Sequence, residues 1–179
     1  MKNNVSDLYD KIQGESTGLG NLLSKIPGIS GYMEKGRRRE ADQILRDTIA
    51  SRLEQSRLKL GNVTQDLSRD IVAAMDHAEP LGRVDTKLAG LIGKIKAAPQ
   101  GYAGFFDANK VKEDDLARIY SFDNEMLTFA DEIDSAIDAL SKAVVDGGDI
   151  SGSMRALDGL LNQAIESFST RDEVIKGIA

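Results

Sequence analysis

The 179-residue chain has no cysteine and no tryptophan, only three prolines, and 5% aromatic residues. Without thiols it can form no disulfide, no thiolate zinc site and no cysteine nucleophile, which suits a reducing compartment. So few aromatics argue against a β-sandwich, whose strands draw on aromatic and β-branched side chains. Long apolar runs are lacking as well. The start, MKNNVSDLYDKIQGES, has no signal-peptide core, and no run approaches the roughly 20 residues that span a bilayer. The chain therefore reads as cytoplasmic.

The chemistry of sites is equally sparse. His77 is the only histidine. It lacks the Glu-x-x-His context of carboxylate-bridged metal sites in helix bundles, because Ala74 stands three residues before it. Its expected place is a helix C-terminus, where a histidine serves the dipole and the cap. Asp131, Asp134 and Asp138 share one side of a helix, but no second element supplies oxygen ligands for a divalent ion. They read as a solvated acidic face. GESTGLG at Gly14 to Gly20 fits neither a phosphate loop nor a dinucleotide fingerprint. DGGDISGS at Asp146 to Ser153 lacks the glutamate of an EF-hand loop. No Gly-x-Ser-x-Gly elbow occurs. The expectation is a protein that is not an enzyme and uses neither cofactor nor metal.

What the chain has in abundance is helical amphipathicity. From Arg37 to Met75 there is no proline, and apolar residues recur near 3.6 spacing. Ala41, Ile44, Leu45, Ile49 and Leu53 begin a stripe that resumes at Leu60, Val63, Leu67, Ile71 and Met75. One helix of roughly 60 Å is expected, with a soft spot at Gly61-Asn62. A proline turn at His77 to Pro80 should end it. A second helix over Gly82 to Ala98 carries Val84, Leu88, Leu91, Ile92 and Ile95, with Gly90 and Gly93 read as points of close helix approach.

A third helix is expected from Glu113 to Val145, its stripe running through Leu116, Ile119, Phe122, Met126, Phe129, Ile133, Ile137, Leu140 and Val144. Asp146-Gly147-Gly148-Asp149 should stop it. A fourth begins near Ser151 with Met154, Leu157, Leu161, Ile165 and Phe168 inward. Thr170 and Glu173 have the spacing of a capping box and predict a short last helix. Together these give an all-α bundle of about four principal helices, two of them long, with coiled-coil-like stripes over residues 37–179 and a partly helical N-terminal arm over 1–36.

Charge is unevenly placed around the formal −6. Met33 to Lys59 carries eight Lys and Arg against five Asp and Glu, whereas Asp107 to Asp149 carries four against twelve. These segments suit neighbours in one fold or complementary faces of two copies. The net charge disfavours nucleic acid as a general partner.

Three features remain for contact with something else. Leu19, Leu22, Leu23 and Ile26 form a narrow apolar stripe in the arm, readable as a strap on the bundle or as an interaction surface. Lys35, Arg37, Arg38 and Arg39 place cations at a helix N-terminus, against the macrodipole, so helix stability does not account for them; they fit an acidic face of the same fold, such as that of the third helix, or else an acidic partner, anionic lipid headgroups or nucleic-acid phosphates. Tyr102, Phe105 and Phe106 sit in a glycine-rich connection, as a plug at one end of the bundle or as a recognition loop. The expected activity is that of a non-catalytic interaction or scaffold protein. It would engage a protein partner or self-associate through the arm and the arginine-rich helix start. The alternative is peripheral binding of anionic lipid through the same arm, and a metal carrier or enzyme using His77 or the Asp131, Asp134 and Asp138 face ranks third.

Overall fold

A computed structural model of the chain describes residues 25–26, 38–98 and 113–178. They form four helices, α1 (Arg38–Leu67), α2 (Ile71–Ala97), α3 (Glu113–Asp146) and α4 (Ile150–Ile178), in an all-α bundle. The third helix spans the predicted residues and one more. Its stop is a Schellman cap: Gly147 takes φ 70°, and Gly148 N–H donates to Ala143 O at 2.8 Å. Asp149 then caps α4, its Oδ1 accepting from Gly152 N–H at 2.7 Å. No helix among the described residues is long and apolar enough to cross a membrane.

The long first helix is corrected. It runs unbroken through Gly61 and stops at Leu67, and Ser68 to Asp70 turn the chain into α2. Asp70 caps the new helix, its Oδ1 accepting from Val72 N–H at 2.9 Å and Ala73 N–H at 3.2 Å. Leu67, Ile71 and Met75 keep a spacing of four across this turn, so periodicity passes over the break unmarked. The predicted turn at His77 to Pro80 is helical, and Pro80 lies inside α2, where its ring denies Asp76 O an N–H donor.

The break changes which residues are core. Val63 and Leu67 are buried, but Ile71 and Met75 are 75% and 78% exposed. Inward places on the first turns of α2 go instead to the half-buried Ala73, Ala74 and His77. Three smaller corrections follow from the packing. Open space surrounds the position of a Cβ at Gly90 and at Gly93, so neither glycine serves a close approach. Phe122 is half-buried while Asp123 beside it is buried, and Ile165 and Val144 are likewise half-buried. No new helix begins at Thr170, since α4 continues to Ile178.

Two compact units divide the chain. One comprises Met1–Thr48, Ala98–Leu127 and Ser167–Ala179, and the other Ile49–Ala97 and Thr128–Glu166. In the second unit the four helices close on an apolar core that includes Leu53, Leu60, Leu88, Leu91, Ile95, Ile133, Ile137, Leu140, Leu157 and Leu161. Its polar contacts fix neighbours and direction. Arg52 to Asp131 and Lys59 to Asp138 keep one register along parallel α1 and α3, while Arg57 to Asp85 and Lys96 to Glu54 join antiparallel α1 and α2. Lys87 to Asp158 and to Asn162 joins α2 to α4.

Candidate functional site

In the first unit the described core mixes Ala41, Leu45, Met126, Leu127 and Phe168 with four charged side chains. Each charge falls on a core stripe by simple spacing. Asp42 and Arg46 flank Ala41 and Leu45 on α1, Asp123 precedes Met126 by three, and Arg171 follows Phe168 by three. Arg171 is the centre, donating through Nε to Asp123 Oδ1 and through Nη2 to Asp42 Oδ1, both at 2.6 Å. Asp42 Oδ2 accepts from Arg46 Nε at 3.0 Å, and Arg46 Nη1 donates to Ala98 O at 2.7 Å. α1, α3, α4 and Ala98, the residue that follows α2, are thus tied by one chain of charged hydrogen bonds.

Burial and pairing pull on these groups in opposite directions. Desolvation pushes the Asp123 carboxyl above its ordinary value, against the opposing charge and hydrogen bond of Arg171. Burial would lower Arg171, but the charges of Asp123 and Asp42 outweigh it and keep the guanidinium protonated. Arg46 Nη2 and Asp123 Oδ2 are buried with no hydrogen-bond partner among the described residues. The network is a rigid tie whose members are costly to remove singly.

In the second unit the acidic face of α3 is neutralised by α1. Asp131 takes Arg52 at 2.8 Å; Asp134 takes Lys59 and the hydroxyl of the buried Ser56, each at 2.8 Å; Asp138 takes Lys59 at 3.0 Å. The basic and acidic segments are therefore neighbours in one fold at these residues. Partial burial pushes Asp134 up, but hydrogen bonds from Lys59 and Ser56 and the Lys59 charge hold it below the ordinary carboxylate value. No group of three or more metal-ligating side chains is found among the described residues.

His77 is corrected from a C-terminal cap to an early position of α2, where it lines a cleft against the start of α4. The same first turns expose Ile71, Val72 and Met75 on another side.

Of the contact residues expected from sequence, Ile26 is 4% exposed, buried within its own chain. Arg38 and Arg39 open α1, and their side chains lie outside the description. Leu19, Leu22, Leu23, Lys35, Arg37, Tyr102, Phe105 and Phe106 lie outside the described residues. The apolar stripes alone do not disclose the buried network, since charge ordinarily marks an outer face; its signal in the sequence is the continuation of the three-and-four stripes onto Asp42, Asp123 and Arg171. Compared with protein-family models, curated proteins and solved structures, the chain matches none.

Proposed function

We propose that the chain is a non-catalytic helical interaction protein that engages a protein partner or a second copy of itself. The observation that carries this reading is the outward set of Ile71, Val72 and Met75, which are 75%, 68% and 78% exposed. Elsewhere α2 places Leu81, Val84, Leu88, Leu91, Ile92 and Ile95 inward. Large apolar side chains grouped on one exposed stretch of helix favour a protein contact, since they gain by leaving water. Helix α1 adds support. Its arginine-rich start leads directly into Asp42 and Arg46, so those cations stand at the head of a firmly tied helix.

Affinity capture and sedimentation of the full chain test the reading. The unaltered chain should retain a specific protein or self-associate, and I71D/M75D or replacement of Arg37, Arg38 and Arg39 by serine should weaken that contact. A monomer that captures nothing specific, or capture unchanged in both variants, would contradict it.

A further inference from the structure

We propose that the cleft between α2 and α4 in the second unit binds a phosphate group carried by a small molecule. The cleft measures about 280 Å³ and is lined by His77, Pro80, Arg83 and Val84 from α2 and by Ser151, Met154, Arg155 and Asp158 from α4. This lies at the small end of ligand pockets, which run from about 300 to 1,000 Å³. Val84 and Met154, 1% and 2% exposed, supply an apolar base. The remaining chemistry of the lining is mainly that of hydrogen-bond donors.

The ion pairs decide which donors are free. Asp158, the lone carboxylate of the lining, is already held by Lys87 at 2.7 Å and by Arg83 at 3.6 Å. Lys87 and Arg83 accordingly hold its carboxyl below the ordinary value. Arg83 also donates to Glu79 at 2.8 Å. Arg155 stands three residues before Asp158, a spacing that permits pairing on one helix, yet it has no carboxylate partner among the described residues. The other described arginines of this unit, Arg52, Arg57, Arg69 and Arg83, are all paired. His77 likewise has no hydrogen-bond partner among the described residues, and Ser151 adds a hydroxyl at the rim.

A free guanidinium fork, an imidazole and a hydroxyl around one small cleft match the several acceptor oxygens of a phosphate group. Helix α4 contributes side chains here, because Asp149 already occupies the N–H of Gly152 at 2.7 Å. Net charge does not predict the site: in a chain of formal charge −6, the lining carries Arg83 and Arg155 against Asp158. It is also separate from the exposed Ile71, Val72 and Met75, so the interaction reading and this one stand or fall independently.

The test is titration of the 15N-labelled full chain with inorganic phosphate at constant ionic strength, followed by amide NMR. Expected are saturable shifts centred on residues 77–84 and 151–158. R155Q and H77Q should each raise the half-saturating concentration about tenfold, the effect of losing one charge-assisted hydrogen bond. Lys94→Gln, at an exposed cation of α2 outside the lining, should leave it unchanged. Arg155 is exposed, so its replacement leaves the core intact. Shifts that do not saturate, that spread over the surface, or that are the same in R155Q overturn the site. Equal binding of acetate overturns the assignment to phosphate.

Discussion

The two units use the same kinds of charged residue for different purposes. In the second, Arg57–Asp85, Lys59–Asp134 and Lys96–Glu54 lie on the outside of a core built from leucine, isoleucine and valine. In the first, Asp42, Arg46, Asp123 and Arg171 are themselves part of the core, each 6% exposed or less. An exposed pair gains little, because water competes for both partners and salt screens them. A buried network has lost that water, so each member depends on the others and removing one leaves a stranded charge. One unit is thus held mainly by apolar burial, the other by apolar burial around an electrostatic tie.

The sharpest way to break this contrast is Arg171→Ala, which strands the carboxylates of Asp42 and Asp123. It should destabilise the chain by about 3 to 5 kcal/mol, measured by urea denaturation, with amide exchange rising first in α1 up to Thr48 and in α3 before Leu127. Replacing Asp42, Arg46, Asp123 and Arg171 together by apolar residues of similar volume should recover much of that loss, because the desolvation cost disappears with the charges.

A smaller effect of opposite sign is expected in the second unit. Gly90→Ala and Gly93→Ala add a methyl into open space on a helix and should each stabilise by about 1 kcal/mol, read as a higher denaturation midpoint. A loss of stability there would mean that the glycines serve an approach after all. Smallest is Arg57→Ala, which removes an exposed pair and should cost less than about 1 kcal/mol. Added salt should narrow even that difference, while leaving the Arg171→Ala loss nearly unchanged.

The legible part of this fold was its apolar periodicity. The stripes of α3 from Phe122 onward and of α4 run from sequence to structure with few changes, and the two meet at a signal with a physical cause, the left-handed Gly147 and the Asp149 cap; the side chains of Leu116 and Ile119 lie outside the description. The turn at Ser68 to Asp70 was hidden because it carries neither glycine nor proline and preserves a spacing of four from Leu67 to Met75. Pro80 misled in the opposite sense, for a helix that has already begun can carry a proline at the loss of one hydrogen bond and some strain. Of the sites, the α1–α3 ion pairs were foreshadowed by the basic and acidic segments. The buried network and the His77 cleft were not, since both depend on which faces meet, and a sequence periodicity does not state that.

Titration separates the units most directly. Asp123 is pushed up by burial, so the folded chain holds its proton more readily than the unfolded chain does. Its contribution therefore favours folding increasingly as pH falls through the raised value, and is complete below the unfolded value of about 3.9. Asp85 and Asp158 are held down chiefly by hydrogen bonds from Arg57 and Lys87. Asp134 is pushed up by burial but held lower on balance by Lys59 and Ser56. The stability from these three is present above the unfolded value and lost as pH falls through their folded values. Site-resolved NMR titration of the aspartate carboxyl carbons measures all four in one experiment. Asp123 should titrate with a midpoint above the ordinary carboxylate value and Asp85, Asp134 and Asp158 below it, whereas Asp123 titrating among or below the other three would remove the contrast between the units.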